Sequence, residues 1–229
     1  MFKKILFFGK KNDFLTKKLI NFLKKKTKKI NVILIGEIKK TDHCLKYLDV
    51  PDAYYDYIFC YRSYYILKNS DIKKAKFACI NFHPGSPSYR GVGCSNYAIY
   101  ERAKYYGVTA HIINSKIDNG PILDVNFFKI KKNESLPSLL FRTHQKLYTQ
   151  SKKIINLLYK DNSFLEKLKF KWRKTRWSNK ILSKADLDNF YEIKLNISRE
   201  KFNRKILATR YRSFRPYINL YGKKFSLDI

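Results

Sequence analysis

The first 130 residues alternate between short apolar runs and helical patterns, and this alternation leaves few possible architectures. Strands are predicted at residues 3–8, 31–36, 56–61, 77–83, 108–114 and 121–130, and helices at 12–28, 95–105 and 135–160. Strands that alternate with helices indicate an α/β fold with a doubly wound, mainly parallel sheet.

The remainder of the chain predicts a smaller α+β part. Ser183 and Ser198 are suitable N-caps for two further helices, and residues 217–227 have the pattern of a β-hairpin. A chain of 229 residues can hold one good-sized domain and an appendage. We therefore expect a larger domain over residues 1–165 and a C-terminal extension over 166–229.

Residues 167–180 mix cations with aromatic side chains, and two interpretations are open. Such a mixture can bind phosphates and stack on a base. It is also the pattern of a half-buried strand, because polar and aromatic residues alternate with a period of two. The periodicity favours the strand.

The net charge of +31 is the most extreme number in the composition. A basic excess attracts nucleic acid, anionic lipid or anionic small molecules. Lysine is accompanied by many Ile, Asn, Phe and Tyr residues, as a coding bias towards A and T would give. Lysine pairs seven residues apart, at 10–11, 17–18 and 24–25, lie opposite Phe14, Leu15 and Leu19, which favours a solvated face of an amphipathic helix.

The cysteine and histidine spacings exclude several classes of site. The four cysteines, Cys44, Cys60, Cys79 and Cys94, form no C-x-x-C pair, so neither a zinc site nor a disulfide framework is expected. A reducing, cytoplasmic setting follows. The N-terminal apolar run is too short for a signal peptide or a membrane span, and we expect no membrane association.

Asn81 and His83 form the first part of a predicted chemical site. An apolar run, Phe77–Ile80, leads into them, and alternate residues of a strand project to the same face. Proline and glycine follow at once and end the strand. An amide and an imidazole would then lie side by side at the carboxyl edge of an α/β sheet, where such folds bind ligands.

Asp118 in a second block strengthens this prediction. The block begins with Gly107, Thr109 and His111 and continues through Asp118 to Gly120. An amide and an imidazole can donate to an oxygen that becomes negative, and a nearby carboxylate can orient the imidazole or receive a proton. His111 is compatible with either a buried structural or a catalytic role.

Taken together, the two blocks resemble the folate-dependent formyltransferase family. The family pattern is N-x-H, then P-x-x-R-G, Y-G-V-T-x-H and D-x-G-P-I. It is matched here at Asn81, His83, Pro87, Arg90, Gly91, Gly107, Thr109, His111, Asp118, Gly120 and Pro121. The resemblance covers about residues 1–160 and implies a Rossmann-like formyltransferase fold.

This resemblance implies an enzyme that moves a formyl group from N10-formyltetrahydrofolate to a primary amine, without a metal. Its catalytic residues would be Asn81, His83 and Asp118. The two donors would stabilise the oxyanion, and Asp118 would receive the amine proton, directly or through a water, and orient His83. No covalent enzyme intermediate is needed, so the cysteines are interpreted as structural.

The resemblance also implies where the ligands bind. Expected folate-binding residues lie in two segments, Tyr61, Arg62, Ser63, Tyr64, Tyr65 and Ile66 in the first, and Ile112, Ile113 and Ile117 in the second. Ordinary packing is the alternative for the tyrosines of the first segment. Expected substrate-binding residues are Pro87, Tyr89, Arg90 and Gly91.

The two ends of the chain indicate the branch of the family. The loop after the first strand has one glycine, Gly9, whereas members that formylate glycinamide ribonucleotide have a phosphate-binding G-x-G-S-N-type loop there. About fifty residues after 180 are too few for the β-barrel of methionyl-tRNA formyltransferases. The tail, with Arg204–Ala208, Pro216–Ile218 and Gly222–Phe225, resembles that of enzymes that formylate dTDP-linked amino-dideoxysugars.

The leading prediction is therefore a dTDP-amino-sugar N-formyltransferase for surface glycans such as the O-antigen of lipopolysaccharide, dimeric through its C-terminal region. The first alternative is a reduced methionyl-tRNA formyltransferase, for which salt-dependent tRNA binding would be the sign. The second is a non-enzymatic, basic nucleic-acid-binding protein. The intact Asn81, His83 and Asp118 weigh against this second alternative, and nucleic acid is not the expected partner.

Overall fold

The computed structural model describes residues 1–36, 50–211 and 214–227. Within them the strands are β1 (Ile5–Lys10), β2 (Ile30–Ile35), β3 (Tyr55–Tyr61), β4 (Ala75–His83), β5 (Arg90–Gly91), β6 (Tyr105–Ile112), β7 (Ile122–Lys129), β8 (Ile181–Leu182), β9 (Tyr217–Leu220) and β10 (Lys223–Ser226). The helices are α1 (Phe14–Lys24), α2 (Asn69–Ile72), α3 (Cys94–Tyr100), α4 (Leu136–Lys160), α5 (Phe164–Trp172), α6 (Lys184–Phe190) and α7 (Arg199–Thr209).

A six-stranded sheet in the order β2-β1-β3-β4-β6-β7 forms the centre of the molecule. The pairs β1–β2, β1–β3 and β3–β4 are parallel, whereas β4–β6 and β6–β7 are antiparallel. The predicted α/β class with a mainly parallel sheet is confirmed. The carboxyl ends of β1, β3 and β4 therefore lie at one edge.

Both faces of this sheet are buried, which explains the continuous apolar runs of its strands. In β1, Ile5 through Phe8 are fully buried. Phe7 packs with residues of α1 and α4 on one face, and Leu6 and Phe8 pack in a second cluster on the other. The N-terminal apolar run is a core strand, as predicted.

Helix α1 is amphipathic in the predicted way. Leu15, Leu19 and Leu23 are buried against the sheet, and the lysines face solvent. Phe14 is an exception, because 66% of it is exposed and Lys18 lies over its ring. None of the helices in the described ranges is long and apolar enough to cross a membrane.

Two predicted elements, one helix and one strand, differ from the structure. Helix α3 ends at Tyr100 rather than 105, because Arg102 takes a left-handed conformation (φ 56°) and the chain turns into β6. The predicted strand over 167–180 is wrong: α5 covers Phe164–Trp172. Leu165 and Leu168, three residues apart, are buried, so the apolar contact follows a helical spacing.

The C-terminal part has the predicted mixture of helices and strands. Ser183 and Ser198 cap α6 and α7 by accepting hydrogen bonds from the third residue beyond. Strands β9 and β10 form the predicted hairpin. The short strand β8 is not part of this hairpin. It pairs in parallel with β5, beside the candidate site.

Candidate active site

Asn81 and His83 project from the end of β4 towards the neighbouring strand β6. Asn81 is paired in register with His111, and His83 with Thr109. Directly opposed residues of an antiparallel pair share a face of the sheet. The two motif blocks thus come together at one place, although thirty residues separate Asn81 from His111.

Asp118 is the acceptor at the centre of this place. Its Oδ2 accepts from the backbone N–H of Gly91 at 2.9 Å and lies 3.3 Å from His83 Nδ1. Its Oδ1 accepts from Asn81 Nδ2 at 3.3 Å and lies 3.3 Å from His111 Nε2. The structure therefore brings all three predicted catalytic residues into one network, and it adds His111.

The carboxyl group of Asp118 is held in its ionised form. Burial would raise its pKa, but the charge of His83, the hydrogen bond and charge of His111 and the N–H of Gly91 together lower the pKa well below its usual range. Such a carboxylate is a weak base. In this arrangement it is better suited to orienting the imidazoles and balancing positive charge than to accepting a proton directly.

The two imidazoles have different hydrogen-bond patterns. His83 Nε2 is 2.9 Å from the carbonyl oxygen of Tyr89, so this nitrogen carries a proton. His111 Nδ1 lies 2.9 Å from the carbonyl oxygen of Ile112, and its Nε2 is 3.1 Å from Asn81 Nδ2. His111 thus carries a proton on Nδ1. Its Nε2 either accepts from the Asn81 amide in the neutral ring or donates to Asp118 in the charged ring.

These contacts define what must change when a substrate binds. The N–H on His83 Nε2 points at the Tyr89 carbonyl, and the Asn81 amide donates to Asp118 and lies 3.1 Å from His111 Nε2. Donation to a substrate oxygen requires that one of these donors exchange its protein acceptor for the substrate. Catalytic hydrogen bonds often become well aligned only in the substrate complex.

The first predicted folate-binding segment follows β3 at the same edge of the sheet. Tyr61 is paired in register with Phe82, and its side chain is fully buried. Arg62 adopts φ 53° and pairs with Asp13 at 2.5 Å. The hydroxyl of Ser63 accepts from the N–H of Tyr65.

The remaining residues of this segment differ in exposure. Tyr64 is 37% exposed and its hydroxyl accepts from Lys10, whereas Ile66 is 70% exposed. Tyr65 is buried, stacks on Phe8 and donates to Asp71. Burial raises the pKa of Tyr65, which remains a neutral donor. Tyr64 and Ile66 are the side chains here that a ligand can reach.

The second predicted segment folds back over the same region of the sheet. The N–H of Ile112 donates to the Pro121 carbonyl and that of Ile113 to the Cys79 carbonyl. Ile117 is 48% exposed. These bonds hold the loop that carries Asp118, whose own φ is 41°.

Three of the predicted substrate-binding residues mainly make contacts within the protein itself. Buried Arg90 donates to the carbonyls of Ile117 at 2.7 Å and Ser178 at 2.8 Å. Gly91 has φ +87°, and a Cβ there would lie 2.1 Å from the Leu182 carbonyl oxygen, so only glycine fits. The carbonyl of Pro87 accepts from the N–H of Ser178.

The fourth such residue, Tyr89, is half-buried and lies beside the network. Its hydroxyl donates to Glu101 at 2.8 Å, and burial together with that carboxylate raises its pKa. Its carbonyl is the acceptor for His83. The backbone of Tyr89 therefore positions the imidazole.

Trp177 lies at the site, although it belongs to none of the sequence motifs. Its ring packs edge-on against His111 (centroids 5.0 Å apart) and His83 (5.9 Å), and its Nε1 donates to the carbonyl of Gly120 at 2.9 Å. The mixture of cations and aromatic residues in this segment was the signal that could have identified Trp177. The strand prediction instead assigned the aromatic side chains to packing.

Buried cysteines surround the site without an evident chemical role. Cys60, Cys79 and Cys94 are free and buried, and burial raises the pKa of each thiol, that of Cys79 to about 12. Cys94 Sγ lies 3.8 Å from His83 Nε2. Cys44 lies outside the described residues. Within residues 1–36, 50–211 and 214–227, no group of His, Cys, Asp and Glu is arranged to hold a metal ion.

The fold and the site define a class: an α/β protein whose sheet edge carries an amide, two imidazoles and a buried carboxylate suited to oxyanion chemistry. Residues 48–150 match the family model described as formyl transferase. Over these residues the resemblance drawn from the motifs is confirmed.

A curated relative supports this assignment. The bifunctional polymyxin resistance protein ArnA of Wigglesworthia glossinidia brevipalpis is 35% identical over 103 residues, which are 44% of this chain. These residues span only 15% of that longer protein.

Solved structures resemble the chain over nearly its full length. A 4-N formyltransferase from Francisella tularensis is 18% identical with a TM-score of 0.71, covering 99% of this chain and 97% of that one. An N-formyltransferase from Helicobacter canadensis, solved with folinic acid and dTDP-3-aminofucose, is 19% identical with a TM-score of 0.66, covering 97% and 86%. At these identities the likeness establishes the fold, including that of the C-terminal part.

Proposed function

We propose that this protein transfers the formyl group of N10-formyltetrahydrofolate to the primary amine of a dTDP-linked amino-dideoxysugar. The observation that carries the proposal is the network in which Asp118 joins Asn81, His83 and His111 at the edge of the sheet. The match of residues 48–150 to the formyl transferase family supports the reaction type.

The chemistry needs an oxyanion site and a route for one proton. The amine attacks the formyl carbon, and the carbonyl oxygen becomes negative. The bond between that carbon and N10 then breaks and releases tetrahydrofolate. Asn81 and His83 donate to that oxygen after exchanging their present acceptors, and each such donor is worth about 10²–10³ in rate. Ionised Asp118 holds His83 and balances the charge, so the amine proton passes through a water to N10 of the departing folate rather than directly onto Asp118.

The folate would bind between the loop after β3 and the loop that carries Asp118. Tyr61–Ile66 and Ile112–Ile117 flank Asn81 at the same edge of the sheet. Exposed Tyr64, Ile66 and Ile117 can contact the pterin or benzoyl group, and backbone groups of both loops can bond to the ring. The Helicobacter canadensis structure with folinic acid supports a folate in this fold.

The proposed acceptor rests on the loop after β1 and on a solved structure with the same fold. The loop after β1 has no phosphate-binding glycines, and the Asp13 carboxylate already caps α1 and pairs with Arg62. A carboxylate at this position disfavours a phosphate group there. The N-formyltransferase from Helicobacter canadensis, which shares this fold and was solved with dTDP-3-aminofucose, supports a dTDP-linked amino sugar as the acceptor.

Three finer proposals accompany this function. Pro87, Tyr89, Arg90 and Gly91 shape the acceptor side, mainly through their backbone contacts. The boundary near residue 165 separates the catalytic domain from a C-terminal extension, whose exposed hairpin residues Tyr221 and Phe225 would join two copies in a homodimer. The enzyme would act in the cytoplasm and supply a surface glycan such as the O-antigen of lipopolysaccharide.

The test is an incubation of the purified protein with N10-formyltetrahydrofolate and a panel of dTDP-amino sugars. We expect the formyl mass increment on at least one sugar and none with His83→Ala. Methionyl-tRNA and glycinamide ribonucleotide serve as competing acceptors. Formylation of methionyl-tRNA with every sugar unmodified would reject the sugar and support the tRNA alternative.

A further inference from the structure

A cavity of about 950 Å³ lies beside the candidate active site, at the edge of the sheet next to the start of β7. We call it the tryptophan cavity. Its lining comprises Arg90, Asn119, Gly120, Pro121, Ile122, Lys169, Trp172, Arg173, Thr175, Arg176, Trp177, Ser178 and Asn179. Its size is in the range of small-molecule sites.

The cavity shares its wall with the catalytic network. Trp177 lines it and packs edge-on against His83 and His111. Asn119 is the residue after Asp118, and Arg90 is fixed to the loop on both sides by the carbonyls of Ile117 and Ser178. A ligand in this cavity would therefore lie next to the network, separated from the two imidazoles by the ring of Trp177.

The lining favours a flat ring that carries negative charge. Both tryptophans of the chain, Trp172 and Trp177, line this one cavity. Four of its thirteen lining residues are Lys or Arg, and among the described residues that line it there is no Asp or Glu. Indole faces stack on bases, and guanidinium groups bind phosphates through charge-assisted hydrogen bonds.

Two polar atoms in the wall are unused. Nε1 of Trp172 and Nε of Arg90 are buried and make no hydrogen bond to any described residue. Buried donors in folded proteins nearly always have an acceptor. Arg90 itself is only 5% exposed, so an acceptor on a bound ligand is the natural partner for its Nε–H.

The cations at the rim are free to move onto a ligand. Arg173 lies over the Phe170 ring at 3.7 Å and donates to the Phe170 carbonyl, and Arg176 donates to the Arg173 carbonyl. Both side chains are exposed. Exposed contacts of this kind cost little to break, so both guanidinium groups can turn towards a diphosphate.

We propose that the tryptophan cavity binds the nucleoside diphosphate part of the acceptor, with Trp172 or Trp177 against the base and Arg173 and Arg176 on the diphosphate. This inference rests on the proposed function and assigns the acceptor to a part of the chain outside the family match. Folate also combines a flat ring with negative charge, so the experiment must separate the two ligands.

Tryptophan fluorescence offers a direct measurement, because the chain has two tryptophans and both line the cavity. We expect quenching by dTDP or UDP in the absence of folate. Arg173→Gln and Arg176→Gln should each weaken the binding about tenfold or more, since each removes a charge-assisted contact. Lys174→Gln is the matched control: it removes an exposed charge of the same segment outside the lining and should leave the binding unchanged.

The same titrations with folinic acid distinguish a nucleotide site from a folate site. Unchanged folinic acid affinity in both arginine variants supports the assignment, and a selective loss of folinic acid affinity overturns it. No nucleotide binding by the wild-type protein, or equal weakening by Lys174→Gln, also overturns it. Nucleotide binding with the expected variant pattern, but no formylation of any amino sugar, would reject the proposed function and leave the nucleotide site standing.

Discussion

The backbone amide of Gly91 donates to Asp118 Oδ2 at 2.9 Å. This bond joins the two motif blocks, which are 27 residues apart at this point. It also connects the segment that follows β4 to the loop that carries the Asp118 carboxylate. Backbone contacts as well as side chains therefore hold the network together. Substitution of a single catalytic side chain should lower turnover without unfolding the protein.

Replacement of Asn81 or His83 by alanine should remove turnover and keep the fold. Each variant loses one oxyanion donor, so kcat should fall by about 10²–10³. Formylation kinetics, circular dichroism and the affinity for a reduced folate would be measured together. Asn126→Ala, which truncates a half-buried asparagine of β7, is the control; more than about a tenth of wild-type turnover in either variant would contradict the oxyanion role.

Asp118→Asn should lower turnover far more than it lowers folate affinity. Asparagine keeps the size of the side chain but removes the charge that holds the two imidazoles. The comparison of kcat with the dissociation constant for a reduced folate decides the role. Equal losses in both quantities would instead identify Asp118 as a binding residue.

The stability of the protein should depend on Asp118 in acid. Its folded-state pKa lies below the unfolded value of about 3.9. The ionised carboxylate thus contributes its full stability above about pH 5 and loses it as pH falls further, at up to about 1.4 kcal/mol per pH unit. Urea unfolding of the wild type and Asp118→Asn should give a constant difference from pH 5 to about 7 that shrinks below about pH 4; a change near neutral pH would implicate the histidines.

Arg90→Lys should destabilise the protein although it conserves the charge. A lysine cannot bond the Ile117 and Ser178 carbonyls in the fork geometry of a guanidinium. One buried carbonyl left unpaired costs about 1–3 kcal/mol, to be measured as the free energy of unfolding. Arg102→Lys, in an exposed pair with Glu200, should change it by less than about 0.5 kcal/mol, and equal effects would contradict the structural role of Arg90.

Gly120→Ala should disturb the site through a backbone contact. A Cβ on Gly120 would lie 1.8 Å from the carbonyl oxygen of Ile112, so the loop must shift. We expect a loss of about 1–3 kcal/mol in unfolding free energy, together with lower turnover because Trp177 bonds the Gly120 carbonyl. For Gly36→Ala no described atom lies within 4 Å of the added Cβ, and a near-neutral effect is expected; a tolerated Gly120→Ala would mean that the loop adapts.

The sequence was sufficient to predict the central sheet and three residues of the network around Asp118, because these are evident in local patterns. Buried strands such as Ile5–Lys10 and motif positions such as Asn81 and Asp118 are evident in the order of residues. The helix at 164–172 was missed because its exposed lysines and aromatics happen to alternate with a period of two. Its buried Leu165 and Leu168 were the better signal.

The role of Trp177 could not be predicted in this way. Its contacts with His83, His111 and Gly120 join positions 57 to 94 residues apart. Only the tertiary fold brings the tail segment to the carboxyl edge of the sheet. Arg90 is similar, because a motif position predicted to face a substrate instead bonds two carbonyls of the protein.

The pairing of β5 with β8 limits how such enzymes can be recombined. A chimaera made by exchanging everything after residue 165 would replace Trp177, Ser178 and Leu182 while keeping their partners Gly120, Arg90 and Gly91. If the tryptophan cavity binds the acceptor as proposed, acceptor preference would then not transfer with the tail alone. An exchange that keeps these contacts must carry Arg90–Gly91 and Gly120 along with residues 172–182, because the contacts join three separate parts of the chain.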